Sequence, residues 1–309
     1  MRIGTRASAL ALAQTQLVAR GLEGAGQACE IVPIRTSGDR ADADTRASSP
    51  QGDKSRWVAE LERALQGGAI DLAVHSAKDV PGELADGLAL YGAPARAAGE
   101  DVLCGAGAIE ELRPGARVGT SSVRRIAQLR AVREDLDVVT IRGNVDTRLR
   151  KLADPGERLD AIVLARAGLQ RLGRESEAGG TLDPERFVPA PGQGTLALEG
   201  RVDDRHARAA AQAIADNDAF ACLRAERALA RELGASCHTP LGAYAVPAGC
   251  GCLHLRAWVG LPDGSEWIGD ELLGGFYDPE ALGRRAAERL LAVGAGELLA
   301  RAAEMASLA

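Results

Sequence analysis

"RWVAELERALQGGAIDLAVHSAKDVP", residues 56–81, decides the fold. Its first half reads as a helix that stops on Gly67-Gly68, a natural C-cap pair. Its second half, "AIDLAVHS", is an apolar run of strand length that ends in the polar "KDVP". Upstream, "MRIGT" (1–5) reads as a strand, "SALALAQTQLVARGLE" (8–23) as an amphipathic helix and "CEIVPIRTS" (29–37) as a second strand. Strands alternating with helices predict a mainly parallel sheet covered by helices.

The same rhythm recurs downstream. "ARVGTSS" (116–122), "LDVVTIRGN" (136–144) and the start of "LDAIVLARAGLQRLG" (159–173) read as strands, with helices at 123–132, 145–153 and after Ala165. "FVPAPGQGTLALEGR" (187–201), rich in Pro and Gly before it turns apolar, reads as a crossing between domains. From about residue 216 the pattern changes. A helix over 218–234 precedes a cysteine turn, and "CGCLHLRAWVG" (250–260) alternates strictly. One face holds Gly251, Leu253, Leu255, Ala257 and Val259; the other holds Cys250, Cys252, His254, Arg256 and Trp258. "LPDGSE" (261–266) turns into a partner strand, and a helical pattern closes the chain. The last third is thus expected to be a small α+β domain.

The totals agree with a globular protein of two or three domains: 309 residues, 46% hydrophobic, 26% charged, net charge −6. An acidic chain with only 3% aromatics offers neither a basic surface for nucleic acid nor a base-stacking platform. No run reaches the ~20 apolar residues of a membrane span, and residues 1–22 lack a signal peptide's apolar core and cleavage site. The chain is therefore expected in the cytoplasm, where its six cysteines are thiols. Cys29, Cys104 and Cys222 are read as buried small residues.

Residues 120–151 go against the acidic whole, with eight basic and four acidic side chains. Placement matters more than the sum. "GTSSVRR" and "IRGNVDTR" sit where strands end and helices begin, so Ser122 and Asn144 can cap helices whose N–H groups and dipole favour an anion. Arg124, Arg125, Arg142 and Arg148 add forks that match carboxylates, whereas Arg130, Arg133 and Arg150 read as a solvated face. Without GxxxxGK[ST] or a post-strand GxGxxG, a nucleotide site has little support. Further polar groups follow other strands: Thr5, Arg6 and Ser8; Ser37, Gly38 and Asp39; His75, Ser76, Lys78 and Asp79. An aspartate beside a lysine in a cleft of arginines is a candidate acid/base. In "LGASCHTPLGAYA" (233–245), Cys237 precedes His238 and a Pro-Leu-Gly turn. As residues alone, it can be a nucleophile, a metal ligand, half of a disulfide or a covalent anchor.

Taken in order, "TRAS", "AVHSAKDVP", "GTSSVRR", "IRGNVDTRL", "PAPGQG" and "ASCHTPLGAYA" resemble the porphobilinogen deaminase (hydroxymethylbilane synthase) family over roughly residues 1–275. The resemblance implies two α/β domains like those of two-lobed periplasmic binding proteins, plus a small C-terminal α+β domain. The bounds expected are residues 1–95 with 194–214, 96–193, and 215–309. It implies stepwise head-to-tail condensation of four porphobilinogen molecules into hydroxymethylbilane, with loss of ammonia, on a dipyrromethane cofactor. That cofactor is held by a thioether to the cysteine matching Cys237. Asp79 matches the catalytic aspartate, which contacts pyrrole N–H groups and assists ammonia loss, since a carboxylate stabilises the azafulvene-like cation left behind. Lys78, Ser122, Arg124, Arg125, Arg142, Asn144 and Arg148 are expected at the cofactor. Arg6, Ser8, Arg171, Gln193 and Lys54 are expected at the substrate. No metal is expected, and the partner is a small molecule rather than nucleic acid or membrane, with a monomer as the default.

The chain departs from the family in two places. "QGDKSRW" (51–57) stands where "GGKGLF" is frequent, keeping Lys54 and placing Trp57 at the phenylalanine. Ala235-Ser236 replaces a Gly-Gly pair before Cys237, with His238 after it. The residues also allow three other readings: a two-lobed anion-binding protein without catalysis, a Cys237–His238 thiol enzyme, and a zinc site from Cys237, Cys250, Cys252 and His254. The first has no use for Cys237. The second lacks an orienting third group, and the third lacks a common zinc spacing.

Overall fold

The computed structural model describes residues 1–34, 55–236, 238–249 and 251–308. In chain order its elements begin with β1 (Arg2–Arg6), α1 (Ala9–Gly24), β2 (Glu30–Ile34), α2 (Ser55–Gln66), β3 (Leu72–Ser76), β4 (Leu88–Gly92) and β5 (Asp101–Cys104). There follow β6 (Arg117–Gly119), α3 (Val123–Val132), β7 (Asp137–Val139), α4 (Val145–Ala153), β8 (Ala161–Ala165), α5 (Arg166–Arg171) and β9 (Thr181–Leu182). The chain ends with β10 (Leu196–Arg201), α6 (Arg205–Ala213), α7 (Asn217–Glu232), β11 (Leu241–Pro247), β12 (Cys252–Gly260), β13 (Trp267–Gly275), α8 (Pro279–Ala292) and α9 (Ala295–Leu308). It divides into two compact units, Met1–Ala97 with Thr195–Leu223 and Ala98–Gly194 with Arg224–Ala309.

The first unit is built on a five-stranded sheet of order β2-β1-β3-β10-β4. Ser8 caps α1 by accepting from the Ala11 N–H, and the helix buries Val18, Ala19 and Leu22 against Leu72, Val74, Leu196 and Leu198. On the other face α2 buries Leu61 and Leu65 against Ile70, Ala73 and Leu88. Pro33 is tolerated because β2 is an edge strand, where a missing N–H breaks no ladder.

The second unit contains a five-stranded sheet of order β7-β6-β8-β5-β9, the same arrangement by role. In both sheets the first three strands are parallel and the fourth, β10 or β5, runs antiparallel to its neighbours. The sheets are thus mixed α/β, parallel in the main as expected. The reversed strand is in each case the one by which the chain enters the unit from the other. The second unit also holds a three-stranded antiparallel sheet, β11-β12-β13, with α8 packed on β13 and α9 on β12. The alternation of β12 appears as expected: Leu253, Leu255, Ala257 and Val259 are all buried. On the opposite face Trp258 is buried too, because it packs with Ala127 and Val188, while His254 and Arg256 both lie against Glu271.

Strands β4, β5, β9 and β11 and helix α6 were not anticipated, and the apolar end of the segment read as a crossing between domains is strand β10 of the first sheet. Cys104 and Cys222 are buried as expected, but Cys29 is only half-buried, its thiol donating to the Gln27 carbonyl at the edge of the first core.

Candidate active site

In the first unit, polar side chains gather where β1 and β3 end. Past β3 the backbone makes a single 3-10 turn, Ala77–Asp79, pinned by the Ala77 N–H donating to the Thr195 carbonyl at 3.0 Å and the Val80 N–H to the Ala77 carbonyl at 3.2 Å. The turn brings Asp79 to a recess whose lining includes Arg6, Ser8, Gln14, His75 and Ser76. Ser76 Oγ and the Gln14 amide lie 2.9 and 3.1 Å apart through Nε2 and Oε1. His75 Nε2 in turn meets Glu199 Oε2 at 2.8 Å, with both side chains almost wholly sealed from water. Glu62 reaches the same region from α2. Burial pushes its carboxyl up; the Ala85 N–H pulls against that rise and nearby Glu199 adds to it.

The second unit displays two helix N-termini at strand ends. Asn144 caps α4, its Oδ1 accepting from the Thr147 N–H at 2.9 Å. Gly143 precedes it at φ +115°, where a Cβ would also lie 2.6 Å from the Thr147 side chain; hence "RGN" rather than another triplet. Ser122 takes the N-cap position of α3 but its side chain makes no cap bond. Arg148 Nη2 donates to Ser121 Oγ at 3.1 Å and its Nε to the Gly143 carbonyl at 2.8 Å, tying the two termini together. Arg142 is exposed beside them.

Arg124 and Arg125 behave differently from their neighbours. They are only 3% and 7% exposed, and each donates one Nη2 to Asp101 at 2.7 Å. Their Nη1 atoms go to the Val188 and Val163 carbonyls, and that of Arg124 also to Gln128. Gln193 completes the cluster, donating to Asp101 at 2.8 Å and to the Gly99 carbonyl at 2.7 Å. Burial alone would raise the Asp101 carboxyl, but Arg124 and Arg125 hold it well below the usual carboxylate range. The fold therefore spends these two arginines on an internal clamp that fixes the first turn of α3. A ligand role for them rests on the resemblance alone.

Arg171, at the end of α5, donates to the Gly194 carbonyl at 2.6 Å. Burial pushes its guanidinium down to about 10, and among the described residues no carboxylate pairs with it. The loop that accepts from it, "PGQG", turns on Gly192 and Gly194 at φ +73° and +83°. Glu226 of α7 staples that loop to the third sheet, accepting from the Gly192 N–H at 2.6 Å and the Ala245 N–H at 2.7 Å.

Of the expected site residues, Arg6, Ser8 and Asp79 share the first recess, with Lys78 adjacent in the same turn. Ser122, Asn144, Arg142 and Arg148 share the strand ends of the second unit. Lys54, Cys237 and Cys250 lie outside the described residues, as do Ser37, Gly38 and Asp39. The exposed His238 donates its N–H to Ser236 Oγ, and the Ser236 carbonyl accepts from the Thr239 N–H. Gln14, Asp101, Glu199 and Glu226 were missed. The signal for Glu199 was present, a carboxylate inside the apolar "TLALEG".

A polycarboxylate with pyrrole N–H groups requires cations and N–H donors for its acid arms and an acceptor for its ring nitrogens. In the second unit the α3 and α4 termini and Arg171, desolvated and with no carboxylate partner among the described residues, are donors of that kind; in the first unit Asp79 is such an acceptor. Fold and site thus define a mixed α/β protein equipped for a polyanionic ligand. The family model described as porphobilinogen deaminase, dipyromethane cofactor binding domain, matches residues 1–209, and that of the porphobilinogen deaminase C-terminal domain matches residues 220–292. The chain is 43% identical over 302 residues to the porphobilinogen deaminase of Deinococcus radiodurans, covering 96% of this chain and 97% of that protein. It is 45% identical over 299 residues to that of Rubrobacter xylanophilus, covering 96% and 95%. A solved periplasmic substrate-binding protein from Coxiella burnetii is also similar (15% identity, 69% of this chain, 91% of that chain, TM-score 0.41), but the strand order above, and not this likeness, defines the fold.

The chain belongs to the porphobilinogen deaminase family. It is an enzyme, a transferase of tetrapyrrole biosynthesis with a dipyrromethane cofactor, and the alternative of a non-catalytic anion-binding protein is not favoured. Among the described residues no helix is long and apolar enough to cross a membrane.

Proposed function

We propose that the chain condenses four porphobilinogen molecules head to tail into hydroxymethylbilane, releasing one ammonia per unit, with Asp79 as its catalytic carboxylate. The supporting observation is the place of Asp79: on a pinned 3-10 turn, in one recess with Arg6, Ser8 and Gln14. When bound, dipyrromethane supplies the electron-rich pyrrole carbon to which the first substrate is joined. Asp79 accepts from pyrrole N–H groups and stabilises the positive charge that develops as the amine leaves the substrate. Arg6 and Ser8 bind substrate carboxylates, helped by Arg171, Gln193 and Lys54. Lys78, Ser122, Arg142, Asn144 and Arg148, with Arg124 and Arg125 behind them, hold the cofactor's acid arms, and Cys237 anchors it as a thioether. The three separate sheets support a third domain, with bounds of 1–95 with 194–214, 96–193 and 215–309; the chain is read as a cytoplasmic monomer.

The test is Asp79→Asn. It is expected to fold normally by circular dichroism and to lower kcat by about 10²-fold or more; near-normal turnover would remove Asp79 from the mechanism. Intact mass is expected to exceed the sequence mass by one dipyrromethane, and Cys237→Ser to lack that increment. An unmodified mass with full activity would end the anchor assignment.

A further inference from the structure

The mechanism above leaves one pair of buried titratable groups unused. His75 and Glu199 lie on the adjacent antiparallel strands β3 and β10, each opposite an alanine, Ala197 and Ala73, which leaves room for both side chains on one face of the sheet. Their contact is 2.8 Å, and the side chains are 4% and 0% exposed. The second Glu199 oxygen, Oε1, is buried with no hydrogen-bond partner among the described residues. Such a pair is a costly way to fill a sheet interior, since two apolar side chains of similar volume avoid the desolvation penalty altogether. Its cost coincides with its location. His75 stands one residue before Ser76, the last residue of β3, and four before Asp79, and it is among the residues that line the same recess as Asp79, Arg6 and Gln14.

We propose that His75 is a positioning residue for Asp79, held in place by Glu199. The carboxylate accepts from Nε2–H, which fixes the ring's tautomer and orientation. The oriented ring locks the end of β3 from which the Ala77–Asp79 turn departs. It also gives Glu199 its only hydrogen-bonding partner among the described residues, so that the carboxylate does not seek one elsewhere beneath the recess. The inference rests on the reading of Asp79 as the catalytic carboxylate.

The experiment compares His75→Gln, Glu199→Gln, the double variant and Asp79→Asn in the cofactor-loaded enzyme, recording kcat, KM, melting temperature and intact mass. His75→Gln is expected to lower kcat about tenfold with KM changed by less than about twofold and the cofactor mass increment retained. The double variant, which restores an amide–amide bond at the buried position, is expected to recover most of kcat whether or not its melting temperature recovers. A kcat for His75→Gln within twofold of the parent would overturn the proposal. So would a loss of kcat that follows melting temperature through all three variants with no recovery in the double. Asp79→Asn separates the two readings: if it turns over normally, the assignment of Asp79 fails whatever His75 does. If it is inactive while His75→Gln is normal, the positioning role alone fails.

Discussion

The two five-stranded sheets share a strand order and each buries a carboxylate on its reversed strand, Glu199 on β10 and Asp101 on β5. The surroundings differ. Asp101 lies opposite Ala165, the last residue of β8, level with the strand ends, so both arginines of the first turn of α3 reach it. Glu199 lies opposite Ala73, deeper in its sheet, and is reached by a single histidine from the next strand. One topology thus serves two ends. In the second unit the carboxylate is over-compensated by two guanidinium groups and clamps the first turn of α3. In the first, a thinly compensated carboxylate lies under the recess that holds Asp79.

The comparison breaks most decisively at Asp101. Asp101→Asn leaves two buried guanidinium groups without their counter-charge and is expected to destabilise the chain by about 3–5 kcal/mol in denaturant titrations. Glu199→Gln keeps an acceptor for His75 and is expected to cost about 1–2 kcal/mol. Equal losses would show that the two carboxylates do the same structural work. The difference between parent and Asp101→Asn should also depend on pH. Because the folded Asp101 holds its charge far below its usual range, its contribution is complete above about pH 4 and is lost as pH falls toward the folded value. The two stability curves should therefore converge in acid, and parallel curves would contradict the ion cluster.

The helix caps give a smaller contrast. Asn144→Ala removes a formed cap bond and is expected to cost about 1 kcal/mol, whereas Ser122→Ala removes none and should cost less than about 0.5 kcal/mol. A large loss at Ser122 would mean that its hydroxyl has a structural partner after all. The smallest effect is expected at Glu62, whose carboxyl is raised in the folded chain. Such a group favours folding while protonated, and that stability is lost as pH rises through the folded value. Glu62→Gln should accordingly gain stability relative to the parent between pH 4 and 8, because the amide keeps the Ala85 contact without the charge. A constant offset over that range would contradict a carboxyl raised by burial.

Much of the molecule was legible without coordinates, for a local reason. Helices α3 and α4 fall on the segments expected because their caps and apolar spacing are written within a few residues, and the arginines that follow inherit their places from them. β12 was legible because alternation reports a half-buried strand directly. The short strands β5 and β9 carry no such signal. They are defined by partners about 60 residues away in the case of β5 with β8, and about 80 in the case of β9 with β5.

The ordered motifs, and with them the family, were determined by the sequence itself, because each motif is a short run of residue types. Which arginines are buried was decided only by tertiary structure. Arg125 and Arg148 look alike as letters, both just inside a helix that follows a strand. Yet Asp101, arriving from a strand outside that local unit, buries the first, while the second stays half-exposed at the termini it bridges. The pairing of His75 with Glu199 has the same origin: the two are 124 positions apart, and only the antiparallel register of β3 and β10 brings imidazole and carboxylate to one face.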